Sequence, residues 1–414
     1  MTQEKHWTVF INNTSNKSAF IKGILNGNTP PEFSIFKGLK GTLFSKLALH
    51  RLIDLEERHG EKTITKNTGQ SLKSMSSGEQ KKALLKHILK VNPGFIILDN
   101  PFDNLDLVSQ KKIASTLKKI AKQTILLLII SRSEDLLPFA TNYASLKNDT
   151  ISFHKNETEA INSNNISAPI FKNTIPKALH PFSFKKENLI ILKNVTVSYG
   201  EKRILNSISW EIKQGEFWQL IGKNGSGKST LLSMIIGENS KGYGQELYIF
   251  GQKKGSGESI WDIKKKIGYF TPAMTDKFSG HHTVENMIIS GLYDSVGLYI
   301  KPTETQLNLA KEWLTLINLL SIKNEYFHDL SAGQQRLIMT VRAMIKHPLL
   351  LILDEPTAGL DDQSAALFVV LVNKIATDSK TAIIFVSHRK EDGLTAHSIF
   401  NLQMSPNGST GNKA

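Results

Sequence analysis

Three short segments recur in the same order in the two halves of this 414-residue chain, and the repeat limits the possible folds more than any bulk property does. In the second half they are Gly222-Lys223-Asn224-Gly225-Ser226-Gly227-Lys228-Ser229, Leu330-Ser331-Ala332-Gly333-Gln334 and Leu351-Ile352-Leu353-Asp354-Glu355-Pro356. The first half answers with Ile11-Asn12-Asn13-Thr14-Ser15-Asn16-Lys17-Ser18, Met75-Ser76-Ser77-Gly78-Glu79-Gln80 and Ile96-Ile97-Leu98-Asp99-Asn100-Pro101. A repeated motif order on a chain of this length predicts two domains of one architecture, each with its own core. The second copy is intact and the first is altered, so the two are expected to divide the work unequally.

Bulk properties narrow the setting. The chain has no cysteine, which excludes a disulfide framework or a thiolate metal site and fits a reducing compartment. The N-terminus, Met-Thr-Gln-Glu-Lys-His-Trp, has no apolar signal region, and cytoplasmic placement is expected. The longest strongly apolar run, Ile125 to Ile130, falls far short of the roughly 20 residues that span a membrane, and reads as a buried parallel strand. The formal net charge is +14, and residues 1–188 carry 27 Lys+Arg against 16 Asp+Glu, whereas the remainder carries 24 against 21. Such a surplus can face nucleic acid, a ribosome or an anionic membrane surface, or simply solvate a lysine-rich exterior.

Periodicity places the motifs on elements. Leu189–Tyr199 and Ile204–Ile212 read as paired strands across a Gly200-Glu201-Lys202 turn. Phe217–Ile221 is an apolar run leading into the glycine-rich loop, and Lys228–Ile236 has helical spacing, giving strand, loop, helix. Leu349–Leu353 and Ala382–Val386 are further buried strands that end in polar residues. Between Thr283 and Asp329 a helical insertion is expected, with Leu307, Ala310, Trp313, Leu314 and Ile317 on one face. The first half repeats the order with strand Trp7–Ile11, helix Ser18–Leu25, a helical stretch Leu43–Glu57, and strands Phe95–Leu98 and Ile125–Ile130, without the leading strand pair. The fold class is α/β, with domains over 1–154 and 189–405, a Pro- and Asn-rich linker over 155–188, and a disordered tail over 406–414.

The intact segments carry phosphate chemistry. Glycines let successive backbone N–H groups converge on phosphate oxygens, and the helix that follows adds its dipole. Lys228 would neutralise the β and γ phosphates of ATP, and Ser229 would ligate Mg²⁺, with Thr230 beside it. Asp354, ending a buried strand, would hold the metal's water shell, and Glu355 would polarise the attacking water as general base. His388, just past the strand Ala382–Val386, is positioned to meet the γ phosphate.

With Ser331, Gly333 and Gln334 ahead of the Asp-Glu strand, this set resembles the ATP-binding cassette (ABC) ATPases. The likeness implies two P-loop NTPase domains, each a mostly parallel sheet flanked by helices, arranged as an intramolecular head-to-tail pair with ATP sandwiched between the phosphate loop of one cassette and the signature of the other. It also implies that Tyr199 stacks on adenine and that Gly359-Leu360-Asp361 is the loop crossing between cassettes. The stretches Gly255-Ser256-Gly257-Glu258-Ser259-Ile260-Trp261 and Ser290-Gly291-Leu292-Tyr293-Asp294-Ser295-Val296-Gly297 resemble the tandem-cassette ModF type, usually named as molybdate-transport or photorepair ATP-binding proteins. One departure stands out: where the family places a glutamine that reads a transport partner, Ile267-Gly268-Tyr269-Phe270-Thr271 is followed by Pro272.

The first copy keeps Lys17, Ser18 and Asp99 but loses the loop glycines to Ile11, Thr14 and Asn16. A β-branched residue held at positive φ costs on the order of 1–3 kcal/mol, so strain is expected there. Asn100 replaces the base, and an amide does not accept a proton usefully near neutrality. Arg132 replaces the histidine. Ser76, Gly78 and Glu79 survive, as does Asp106, and in a head-to-tail pair they would complete the intact site, leaving Ser331, Gly333 and Gln334 facing the degenerate one. The expected activity is ATP hydrolysis at one composite site. The partner stays open between a permease encoded separately, with the chain peripheral at the inner membrane face, and a ribosome or nucleic acid; a third alternative is a slow nucleotide-gated binding module.

Overall fold

The computed structural model describes residues 6–66, 70–164, 170–278, 280–389 and 391–413. It divides into two compact units, residues 1–167 with Gly359–Ser364, and residues 168–358 with 365–414.

The first unit is built on a six-stranded sheet of β1 (Trp7–Ile11), β2 (Gly41–Phe44), β3 (Phe95–Asp99), β4 (Ile125–Ile130), β5 (Asn142–Lys147) and β6 (Thr150–His154), in the spatial order β2-β3-β4-β1-β5-β6. All pairs are parallel except β5 with β6. The central strands are near-continuous apolar runs because helices cover both faces, and Ile96, Ile97, Leu98 and Leu126–Ile130 are fully buried. One face packs beneath α2 (Lys46–His59), α3 (Ser77–Leu89) and α4 (Leu107–Ile120), the other beneath α1 (Lys17–Leu25) with the Phe33 and Phe36 rings. The stretch read as helical from Leu43 begins instead with β2, because Thr42, Leu43 and Phe44 continue the ladder on β3 and the helix starts only after Ser45 caps it. The expected linker starts later than its composition implies: α5 (Glu157–Asn164) belongs to this unit, with Ala160 fully buried. Eight residues offer too few turns for a helical period to show.

The second unit carries two sheets. A four-stranded antiparallel sheet is formed by β7 (Asn188–Tyr199), β8 (Lys202–Lys213), β10 (Glu246–Ile249) and β11 (Gln252–Lys253); it is the leading pair that the first unit lacks, extended by one hairpin. The main sheet runs β12-β13-β14-β9-β15-β16, with β9 (Phe217–Gly222), β12 (Ile267–Phe270), β13 (Leu350–Asp354), β14 (Ala382–Val386), β15 (Ser398–Gln403) and β16 (Thr410–Lys413). It repeats the strand order of the first unit and is parallel but for the last pair. Helix α6 (Lys228–Ile235) follows β9, while α7 (Ile260–Lys266), α8 (Val284–Ile289) and α9 (Glu304–Leu316) precede α10 (Ala332–Met344), and α11 (Asp362–Asp378) follows β13. Trp313 of α9 is fully buried, as its helical spacing predicts. The tail expected to be disordered is the antiparallel edge: Leu402 pairs with Gly411, and a side chain at Gly411 would lie within 2.3 Å of the Phe400 ring, so glycine lets the strand lie flat on it. A polar, glycine-rich tail carries no periodicity, so its pairing was invisible in the sequence. No helix among the described residues is long and apolar enough to cross a membrane.

Candidate functional site

In the second unit, the carboxyl ends of β9, β13 and β14 bring the sequence-marked residues together. The loop after β9 turns through Gly225 and Gly227, at φ of 81° and 93°. A side chain at Gly227 would be strained at this φ, and its Cβ would also crowd the Leu205 and Ile204 side chains, at 2.7 and 2.9 Å. Between them Ser226 is fully buried, and α6 starts directly at Lys228 with no side-chain cap. Lys228 is buried, and its Nζ donates to the carbonyls of Gly222 (2.7 Å) and Lys223 (3.2 Å), folded back over its own loop. Lys223 and Ser229 are exposed, while Gly222, Asn224 and Thr230 are half-buried.

Asp354 and Glu355 face this lysine from the end of β13. Burial, then the neighbouring Glu355 charge, push the Asp354 carboxyl up to about 6, against the pull of Lys228, His388 and the Tyr269 hydroxyl. Burial alone would raise Glu355 as well, but its bond to His388, with Lys228 nearby, outweighs that and holds it below the ordinary range. Glu355 Oε1 pairs with His388 Nε2, and the backbone of Glu355 is left-handed at φ 52° with its N–H on the Val386 carbonyl (3.0 Å). A non-glycine residue held there marks a position fixed by its surroundings. Burial and the adjacent Asp354 drive the Tyr269 phenol far up, so it remains a neutral donor. Pattern reading passed over Tyr269 because its role depends on β12 lying beside β13.

Tyr199 lies at the end of β7, 47% exposed. Its hydroxyl accepts from Asn239 Nδ2 (2.9 Å), and Lys241 Nζ stands 5.7 Å from the ring centroid. Neither neighbour carried a motif. Ser331 caps α10 in a reciprocal box with Gln334, and Gly333 is buried in the first turn. Pro272 opens a short 3₁₀ turn whose carbonyl accepts from Arg336 of α10 (3.4 Å).

The first unit has the same backbone and different chemistry. Asn100 is left-handed at φ 43° with its N–H on Ile129 (2.9 Å), the counterpart of the Glu355 arrangement, but its Oδ1 accepts from the Ser131 N–H (3.0 Å). Lys17 is spent in an ion pair with Asp99 at 2.9 Å. The expected strain is absent. Neither Thr14 nor Asn16 takes positive φ, and Asn16 sits at −79° as the cap of α1. The loop has left the phosphate-cradling conformation: Asn12 Oδ1 accepts from the Thr14 N–H (3.1 Å) and hydroxyl (2.9 Å), and the Asn13 N–H donates to the Asp361 carboxylate (2.7 Å), in the segment that clusters with this unit. Arg132 and the Ser133 N–H meet Asp362 at 3.7 and 2.8 Å. Donors that would face an anionic ligand therefore meet side chains of the protein. Ser18 lies in the first turn of α1. Ser76 and Glu79 form a reciprocal capping box on α3, Gly78 is buried between them, and Asp106 caps α4 through the Ser109 N–H (2.7 Å).

Comparison with known proteins shows the family. The family described as ABC transporter matches residues 205–358. The ABC transporter ATP-binding protein ModF of Escherichia coli is 36% identical over 354 residues, which cover 83% of this chain and 71% of the relative. An uncharacterized ABC transporter ATP-binding protein of Schizosaccharomyces pombe is 30% identical, covering 78% of the chain and 66% of the relative. In fold, the chain is similar to the archaeal ribosome recycling factor aABCE1, solved in complex with the ribosomal stalk protein aP1: TM-score 0.63, 15% identity, 98% of this chain and 85% of that one.

Proposed function

Because the chain belongs to the ABC transporter ATP-binding family and is an ATPase of that family, we propose that it hydrolyses ATP at one competent site, centred on the second unit. The observation that carries this is the asymmetry between Glu355, held charged against His388, and Asn100, whose amide is occupied by Ser131. Glu355 accepts the proton of the attacking water, and His388, bonded to that carboxylate, keeps it aimed. Lys228 exchanges its loop carbonyls for phosphate oxygens. Tyr199 supplies a stacking face for adenine, with Asn239 fixing its hydroxyl.

Mg²⁺ fits the donors present. The Ser229 hydroxyl and the Asp354 carboxylate are hard oxygen ligands of the kind it prefers. Crowding of Asp354 by Glu355 leaves an excess of negative charge that a divalent cation would relieve. When bound, the ion would offset charge on the β and γ phosphate oxygens.

The head-to-tail pairing assigns Ser76, Gly78, Glu79 and Asp106 of the first unit to this site, and Ser331, Gly333 and Gln334 to the vestigial one. It is supported by the survival of the Ser76 capping box in a unit whose own phosphate loop is collapsed. The partner we favour is soluble, a ribosome or nucleic acid, since Pro272 offers no side-chain amide where the family reads a permease and its carbonyl is tied to Arg336. The names of the relatives, ABC transporter ATP-binding proteins, favour the alternative, a transport subunit serving a separate permease.

The deciding experiment is steady-state hydrolysis by the full chain. Glu355→Gln should lower the rate roughly 10²-fold or more, as expected for loss of a general base, while Lys17→Ala leaves it within about twofold. Equal losses would refute the asymmetry.

A further inference from the structure

Helix α4 and the residue beyond its cap carry Lys111, Lys112, Lys118, Lys119 and Lys122, with no acidic residue from Leu107 to Lys122. At about 100° per residue these lysines share one stripe with Ser115, opposite the buried Ile113 and Leu117. The neighbouring α3 exposes Lys82, Lys86 and Lys90 at four-residue spacing. All eight lysines are exposed, and none joins an ion pair among the described residues. Lys81, on the other side of α3, turns inward to the carbonyls of Pro101 (2.9 Å) and Asp103 (2.6 Å). Like charges four residues apart on a helix cost about 0.2–0.5 kcal/mol per pair, and Lys82–Lys86, Lys86–Lys90 and Lys118–Lys122 are such pairs. The helix C-termini offset part of this repulsion, and a polyanion would remove the rest.

We propose that this lysine face of the first unit binds a double-stranded nucleic acid through its phosphate backbone, without reading bases. Two further features favour that partner. No aromatic residue lies on either exposed stripe, so single-strand stacking has no platform. Apart from Leu107 and Val108, exposed in the first turn of α4, the helices bury their apolar side chains in the unit's own core, which leaves a membrane little but charge to hold, whereas stable attachment to lipid takes an inserted apolar group as well. Seven-residue spacing between Lys111/Lys112 and Lys118/Lys119 sets two charge pairs about 10 Å apart along a rigid rod. The proposal deepens the favoured permease-free reading and rests on it for the partner class alone.

The test is fluorescence anisotropy of labelled 20-base-pair RNA and DNA duplexes with the full chain, without nucleotide, across a salt series. Neutralising Lys111, Lys112, Lys118 and Lys119 to Gln should weaken binding at least tenfold and flatten the slope of log K against log salt by up to about 3.6, at about 0.9 for each phosphate that is no longer neutralised. Neutralising the exposed Lys185, Lys265, Lys301 and Lys380 of the second unit removes the same charge and should leave the slope nearly unchanged. Equal slopes in the two variants, or no duplex binding by the unaltered chain, would overturn the proposal. So would binding to phosphatidylserine vesicles that the first variant loses while its duplex binding persists. Basal ATPase and melting report folding; should the fourfold variant unfold, Lys111→Gln with Lys112→Gln alone carries the test with half the slope change. Because the duplex assay contains no nucleotide, its failure is read separately from a failure of the Glu355 assay.

Discussion

Asp354 and Glu355 are adjacent, share one burial environment and meet it differently. Glu355 is bonded directly to His388, whereas for Asp354 burial and the Glu355 charge outweigh Lys228, His388 and the Tyr269 hydroxyl, and its carboxyl is pushed up to about 6 from 3.8. An acid with a raised folded pKa holds its proton in the folded state while the unfolded state releases it, so its contribution to stability is full below about pH 4 and is lost as pH rises through about 6. The shift corresponds to about 3 kcal/mol undiscounted, and roughly 1–2 kcal/mol once solvent screening of a partly exposed group is allowed for. Asp354→Asn should therefore raise the melting temperature of the nucleotide-free protein at pH 7.5 by several degrees and much less at pH 4.5, read by calorimetry at the two pH values. A gain independent of pH would show that the charge is not the cause. The identity of the pair was plain from its place after an apolar run. The unequal titration was not, since it depends on which neighbours β12 and β14 supply.

At the scale of elements, the first unit shows that a motif and its conformation separate readily. Lys17 and Ser18 keep their spacing to Asp99, yet the loop before them bonds to itself through Asn12. Without glycine the left-handed positions of the loop are strained, and a different turn is the lower-energy solution. The last strand makes the opposite point. β16 pairs with β15, and Phe400 beneath it stacks on Trp210 at 4.3 Å between centroids. Removing residues 406–414 should destabilise the second unit by on the order of 2 kcal/mol, since it strips a strand's hydrogen bonds and uncovers an aromatic pair. Urea unfolding monitored by tryptophan fluorescence would detect this, and an unchanged midpoint would mean that the tail contributes nothing.

For the whole molecule, the proposed head-to-tail pairing makes a prediction that neither unit makes alone. Ser76→Arg, far in sequence from Lys228, should abolish turnover while ATP binding by the second unit stays measurable with a fluorescent nucleotide. Ser331→Arg should be tolerated. If only Ser331→Arg stops hydrolysis, the pairing is reversed or absent. Partner class is tested by fractionation. On the permease-free reading, attachment to membranes or nucleic acid should be electrostatic and released at about 1 M salt, where charges are screened beyond about 3 Å. A complex with an integral membrane protein that survives both high salt and detergent would restore the transport alternative.

What the sequence determined by itself is the chemistry carried by covalent neighbours. The glycine spacing before Lys228, the acidic pair at the end of an apolar run, the amide at Asn100 and the doubled motif order all depend on residues within a few positions of one another, where spacing dictates geometry. Tertiary structure alone decided what depends on distant segments meeting: Tyr269 set beside Asp354, Lys241 over Tyr199, α5 seated where composition read only a linker, and the final strand closing the sheet edge. Those contacts arise because sheets and cores are assembled from residues remote in the chain, and single-sequence periodicity holds no record of which strand becomes which neighbour.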